Sequence, residues 1–253
     1  MINMKNPPVH KVYIVGAGPG DPELLTIKAK RLLTEYADVV VHDRLISNDI
    51  LKLIPKKVEK IFAGKEPELH HMKQEDINSV LVKKTLAGKK VVRLKGGDPF
   101  IFGRGGEEAE YLRKHKIEFE IVPGITSAIG AAAEAFIPLT YRGVSDGVIF
   151  ITGHNYEDDE LKLDYKFLAK TDSTIVIYMG VKNISVIAKK LIKCGMNPKK
   201  PCLAISEATN KSSRKIFSSI GSISGEMSKK DIKNPCLIYI GDVVKISQKL
   251  SSK

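Results

Sequence analysis

Short apolar runs alternate with amphipathic stretches along the first half of this chain. Residues 11–15 form a β-branched run that ends in glycines, and residues 24–36 carry Leu24, Ile27, Leu32 and Leu33 at helical spacing. Residues 39–41, 58–62, 91–94 and 119–122 read as further strands. Residues 75–87 have a helical pattern closed by Gly88. Strands that are apolar throughout, separated by helices, predict a parallel sheet covered on both faces.

Pro123-Gly124 breaks the alternation. A small-residue helix is expected over 125–135, then a loop over 138–146. Strands resume at 148–152, 174–178, 202–206, 215–220 and 236–240, with helices expected at 184–193 and 223–230. The predicted fold class is therefore α/β, with two α/β domains, 1–122 and 123–253, and a ligand site in the cleft between them. No internal repeat or low-complexity segment is seen.

Composition narrows the function classes. The 253 residues are 43% hydrophobic and 28% charged, enough for a sizeable core. The formal net charge of +12 attracts anions: nucleic acid, an acidic membrane or a polyacidic small molecule. Aromatics are 6% and Trp is absent, which leaves little for base stacking, so no nucleic-acid partner is expected. The longest apolar stretch, 122–139, is interrupted by Pro123, Glu134 and Pro138, so no membrane partner is expected either. The first ten residues do not read as a signal peptide. Cys194, Cys202 and Cys236 are widely spaced, which predicts neither a zinc site nor a disulfide framework and fits a cytoplasmic location. His70-His71 has no acidic or cysteine companion at ligand spacing, and no metal is expected.

Two glycine-rich segments carry the candidate chemistry. Gly16-Ala17-Gly18-Pro19-Gly20-Asp21 follows the first strand like a dinucleotide fingerprint. Pro19 removes a backbone donor, however, and Asp21 and Glu23 place negative charge where a pyrophosphate belongs. This argues against NAD. The second segment runs from Val91 to Glu108 and contains Lys95-Gly96-Gly97-Asp98-Pro99-Phe100-Ile101-Phe102-Gly103-Arg104-Gly105-Gly106-Glu107-Glu108. Glycine turns let a backbone approach a ligand. Asp98 offers an acceptor, and Arg104 a planar fork suited to carboxylates.

Together these segments resemble the tetrapyrrole methyltransferases. The resemblance also rests on His42-Asp43-Arg44-Leu45, Gly64-Lys65, Val122-Pro123-Gly124-Ile125-Thr126-Ser127, Ile137-Pro138-Leu139-Thr140, Thr152-Gly153-His154, Tyr178-Met179-Gly180 and Gly241-Asp242-Val243-Val244. It covers about residues 10–247. It implies S-adenosyl-methionine as methyl donor and uroporphyrinogen III as acceptor, methylated at two ring carbons (C-2 and C-7) to precorrin-2, in a homodimer without a metal. The acceptor carries eight carboxylates, which would give the basic charge a purpose.

By the same resemblance, Pro19, Gly96, Gly97, Asp98, Ile101, Thr126, Ser127, Met179 and Ala208 would form the donor pocket, with Cys236 a weaker candidate. Arg104, Glu107, Arg142 and His154 would lie near the macrocycle, and Asp43 and Lys65 would handle protons. The chain departs from the family pattern at Tyr141, where His is common, at Glu134 and Phe136, where Tyr and Gly are usual, and at Glu66-Pro67-Glu68, where a more basic stretch is common. All of these are expected on the acceptor side.

Overall fold

The computed structural model describes residues 10–63, 74–154 and 162–251. The chain divides into two compact units, Met1–Ser127 and Ala128–Lys253. Residues 123–127 belong to the first of them.

The first unit holds a five-stranded sheet: β1 (Val12–Gly16), β2 (Val39–His42), β3 (Glu59–Phe62), β4 (Val91–Lys95) and β5 (Phe119–Val122). Their order is β3-β2-β4-β1-β5, and every adjacent pair is parallel. Side chains alternate between two cores, as the period of a strand requires. Val40, Val92, Leu94 and Val15 pack with Leu33 and Ile50 on one face. Val39, Val41, Val91, Val12 and Ile14 pack with Leu81 and Leu112 on the other. Leu81 lies on α3 (Gln74–Leu86) and Leu112 on α4 (Gly105–Lys114). Arg93 and Lys95 share the parity of Val91, so β4 directs two cations into the face that α3 and α4 cover.

The 24–36 stretch begins with a short 3-10 turn, Pro22–Leu24, capped by the Asp21 carboxylate accepting from the Glu23 amide at 2.9 Å. α1 (Ile27–Arg31) follows, with the Thr26 hydroxyl accepting from the Ala29 amide. It runs on into one wider π turn, Leu32–Tyr36. α2 (Asn48–Leu53) is a two-turn helix capped by Ser47.

The second unit holds β6 (Val148–Thr152), β7 (Thr174–Tyr178), β8 (Pro201–Ser206), β9 (Arg214–Ser219) and β10 (Cys236–Ile240) in the order β6-β7-β10-β8-β9. Only β6 and β7 run parallel; the other pairs are antiparallel. β8 passes directly into β9 through the loop 207–213, with no helix between, which forces that pair to be antiparallel. α7 (Ile184–Lys193) and α8 (Ile223–Lys229) cover one face through Ile184, Ile187, Leu191, Ile223 and Met227. α5 (Ser127–Glu134) is tied to strands β7 and β10 at Ala128: its amide donates to the Tyr178 hydroxyl, and its carbonyl accepts from the Tyr239 hydroxyl at 2.8 Å. α6 (Tyr165–Lys170) and α9 (Val243–Ser251) complete the unit. No described helix is long and apolar enough to cross a membrane.

Candidate active site

In the first unit the loops that leave β1, β4 and β5 are knitted together at the carboxyl end of the parallel sheet, the edge where ligands bind in open α/β sheets. Gly18 and Gly97 exchange both backbone hydrogen bonds, at 2.8 and 3.1 Å. A Cβ on Gly124 would lie 2.3 Å from the Gly97 carbonyl oxygen, and one on Gly16 would lie 2.6 Å from the Gly124 nitrogen. Only glycine permits backbones this close. Asp98 completes the junction: one carboxylate oxygen accepts from the Phe100 amide at 2.8 Å and the other from the Gly124 amide at 3.0 Å. The structure thus gives Asp98 a task that the sequence reading did not assign, joining the loop after β4 to the loop after β5.

The segments 16–20, 96–103 and 123–127 of these loops contain no Lys or Arg, and Asp98 is their one carboxylate; Asp21 and Arg104 stand at the far ends of the first two loops. They carry Pro19, Gly96, Gly97, Asp98, Ile101, Thr126 and Ser127, so the expected donor residues of this unit converge at one sheet edge. Glycine turns whose middle carries one acid and no cation suit a cationic sulfonium nucleoside better than a pyrophosphate. Among the described residues no cluster of His, Cys, Asp and Glu could hold a metal ion.

Beneath the junction lies a buried charge cluster. Arg93 Nε donates to Glu108 Oε1 at 3.0 Å, and Lys95 Nζ donates to the same oxygen at 2.9 Å. The other arm of Arg93 pairs with Asp43, just beyond β2, whose second carboxylate oxygen lies 3.8 Å from Lys95 Nζ. Gln74 of α3 donates to Glu108 Oε1 at 3.1 Å. Glu108 Oε2 is buried without a hydrogen-bond partner. Burial and the neighbouring Arg93 charge pull the Lys95 ammonium below its usual range, against Glu108 and Asp43. Burial works against the Arg93 charge too, but Asp43 and Glu108 outweigh it and hold the guanidinium above its ordinary value. Asp43 is the outermost member, with its side chain 30% exposed. Sequence reasoning singled out Asp43 as a proton-handling candidate and did not single out Arg93, Lys95, Glu108 or Gln74, which the structure gathers around it. The available signal was two cations at alternate positions of an apolar strand, where an unpaired charge is not tolerated.

Arg104 occupies the turn before α4 with a left-handed backbone, φ 58°. Its guanidinium donates to both Glu107 oxygens, at 2.9 and 2.5 Å. The Arg104 bond holds the Glu107 carboxyl below its usual range. The fork is therefore oriented by Glu107 while remaining accessible. Lys65 and His70-His71 lie outside the described residues.

The remaining expected residues lie in the second unit. Met179 follows β7 with φ 53° and is 39% exposed, so it is not a core methionine. Gly153 donates to the Tyr178 carbonyl at 2.7 Å, which ties the Thr152-Gly153-His154 segment to Tyr178-Met179-Gly180. His154 and Arg142 are exposed, Arg142 in the turn closed by the Tyr141–Ser145 bridge. Ala208 sits in the β8–β9 loop between two residues with left-handed backbones, Glu207 (φ 49°) and Thr209 (φ 65°). Cys236 is buried in β10, where burial pushes its thiol up to about 12. It is a core residue. Glu134, expected on the acceptor side, accepts with its carboxylate from the Thr209 amide and from Ser213 Oγ, on the loop that carries Ala208.

This chain belongs to the family Tetrapyrrole (Corrin/Porphyrin) Methylases, which matches residues 11–224. It is 49% identical over 240 residues to the uroporphyrinogen-III C-methyltransferase of Bacillus subtilis (strain 168), covering 95% of this chain and 93% of that protein. It is 43% identical over 249 residues to a siroheme synthase of Nitrosomonas eutropha, covering 98% of this chain and 52% of that protein, so it spans about half the length of such relatives. Among solved structures, the uroporphyrin-III C-methyl transferase of Thermus thermophilus complexed with S-adenyl homocysteine matches with a TM-score of 0.80 and 38% identity over 94% of each chain. A cobalt precorrin-4 methyltransferase matches with a TM-score of 0.83 and 28% identity, covering 92% of this chain and 95% of that one.

Proposed function

We propose that this chain is an S-adenosyl-methionine-dependent C-methyltransferase that converts uroporphyrinogen III to precorrin-2. The observation that carries the reading is the near full-length match to the Bacillus enzyme, joined to a glycine-built sheet edge. When bound, S-adenosyl-methionine supplies an electrophilic methyl on sulfur. A reduced pyrrole carbon is electron-rich and attacks it directly, so the protein's task is mainly alignment.

The residues divide that task. Gly96, Gly97 and Asp98 shape the donor edge, with Pro19, Ile101, Thr126 and Ser127 around it; the family resemblance also gives Met179 and Ala208 to donor binding. Arg104, oriented by Glu107, and Arg142 hold acceptor carboxylates, with His154 beside the macrocycle. Methylation makes a ring carbon quaternary, so a proton must leave from a neighbouring atom. Asp43 takes it, its carboxylate held by Arg93 and facing Lys95, and Lys65 assists. The +12 charge favours the octacarboxylate acceptor. The same resemblance supports a cytoplasmic homodimer, which sedimentation would test.

A later corrin-ring methylation is the second reading, favoured by the likeness to the cobalt precorrin-4 methyltransferase. Anaerobic incubation with uroporphyrinogen III and methyl-labelled donor separates the two. Two labelled methyl groups on the product support the proposal, and no transfer to this acceptor sinks it.

A further inference from the structure

Glu134 closes the second unit's α5 and departs from the family pattern noted above. Its carboxylate reaches across to the loop 207–213. Oε2 accepts from the Thr209 amide at 2.5 Å, and Oε1 accepts from Ser213 Oγ at 2.6 Å and pairs with Lys215 Nζ at 3.2 Å. Lys215 Nζ also donates to the Glu134 backbone carbonyl at 2.8 Å. One side chain thus grips the loop at its middle, at its end and on the strand that follows.

The loop needs such a grip. Glu207 and Thr209 both adopt left-handed backbones, and for a β-branched residue such as Thr that conformation is a genuine outlier. Strained residues persist only where surrounding contacts over-determine them. Thr209 Oγ1 is buried without a partner, so the threonine side chain does not pay back its own strain through that atom. Ala208 lies between the two strained residues.

We infer that Glu134 is a positioning residue for the methyl donor: it clamps the β8–β9 loop so that Ala208 is held in the one conformation that fits the donor. The inference rests on the proposed function, through the assignment of Ala208 to the donor pocket. Glu134 need not touch the donor itself. It was expected beside the acceptor, and its contacts instead assign it to donor affinity.

The test compares the parent with E134A, E134Q and the double variant E134A/T209G, reading S-adenosyl-homocysteine affinity by calorimetry and the two Michaelis constants separately. Parent protein that fails to bind S-adenosyl-homocysteine overturns the proposed function, and the inference with it. With a binding parent, E134A should weaken affinity at least tenfold. Its Michaelis constant for the donor should rise to match, while the constant for the tetrapyrrole and the turnover number at saturating donor stay near parent values. E134Q, which keeps the shape and loses the ion pair with Lys215, should fall between the two. T209G removes the strained Cβ and should recover part of the affinity, which a merely structural role would not produce. If E134A does not fold, E134Q carries the test. Parent-like donor affinity in a folded variant overturns the clamp, as does an equal rise in both Michaelis constants.

Discussion

Arg93 Nε lies 3.0 Å from Glu108 Oε1, and the two side chains are 2% and 0% exposed. The pair joins the middle of the central strand β4 to the first turn of α4, the helix that Arg104 precedes. It therefore fixes the base of the loop that carries the Gly96-Gly97-Asp98 turn. Buried ion pairs are poor sources of net stability, but breaking one strands a charge in a dry interior. Here two cations share one oxygen of Glu108, and among the described residues Asp43 is the only other carboxylate paired with them.

Glu108→Gln keeps the shape of the side chain and removes its charge. Arg93 and Lys95 would then share Asp43 alone. The substitution should lower the unfolding free energy by about 3–5 kcal/mol, the usual cost of breaking a buried pair. Urea denaturation followed by circular dichroism reads this directly. A loss below about 1 kcal/mol would mean that water or a rearranged neighbour already compensates the cluster.

The sequence made the strands legible because apolar β-branched runs bounded by turn residues have few alternatives. All ten strands among the described residues fall where the apolar runs lie, each within one residue at either end. Helices whose apolar stripe is short or interleaved with charge were less visible: α2, α6 and α9 were not read. The mixed second sheet was hidden for a different reason. A strand pattern does not carry its direction, which here follows from the helix-free connection between β8 and β9. At the site, the glycine turns and Asp98 were legible as motifs. The buried cluster was not, because Arg93 and Lys95 look like ordinary surface residues until the parity of β4 directs them inward. The partner of Glu134 was out of reach as well, being 75 residues away in sequence at Thr209.

Two glycines on the same unit should respond oppositely to alanine. At Gly124 the new Cβ would meet backbone at 2.3 Å, with no side chain able to yield. Gly124→Ala should force the loops after β1, β4 and β5 apart, costing about 1–3 kcal/mol or more by overpacking and weakening S-adenosyl-homocysteine binding. At Gly106, inside α4, a Cβ would meet nothing within 4 Å. Gly106→Ala should stabilise the fold by about 0.5–1 kcal/mol through helix propensity. Thermal melts with and without S-adenosyl-homocysteine distinguish the two. Equal ligand-induced shifts in G124A and parent would detach the glycine junction from the donor site.

The cysteines should separate by accessibility. Cys202 and Cys236 are buried, while Cys194, at the end of α7, is partly exposed. Burial raises both buried thiols, Cys236 to about 12 from an ordinary 9.0. Native protein treated with a maleimide at pH 8 should be modified at Cys194 only, and denatured protein at all three positions, as read by mass spectrometry. The pH dependence follows with a definite sign. A folded chain that keeps protons the unfolded chain has lost becomes less stable as pH rises. The loss should begin near pH 9 and continue through about 12, and replacing Cys236 by Ser should make it shallower. Rapid labelling of Cys236 in the native state would contradict the buried geometry.

Arg104 gives the sharpest test of the acceptor side. Its bidentate pair with Glu107 is exposed, and such pairs contribute at most about 1 kcal/mol. Arg104→Lys keeps the charge and can adopt the same left-handed backbone at similar cost, so the melting temperature should stay close to that of the parent. S-adenosyl-homocysteine affinity should also be unchanged, because the donor edge is built from other residues. What lysine cannot supply is the planar fork, which Glu107 now orients and which an acceptor carboxylate would engage. Methyl transfer to uroporphyrinogen III should therefore fall by tenfold or more. Glu107→Gln should give a smaller loss, because the fork survives without its orienting charge. Parent-like turnover in R104K would make the residue a helix-start ornament, and the carboxylate contact would then pass to Arg142, whose guanidinium has no protein partner among the described residues.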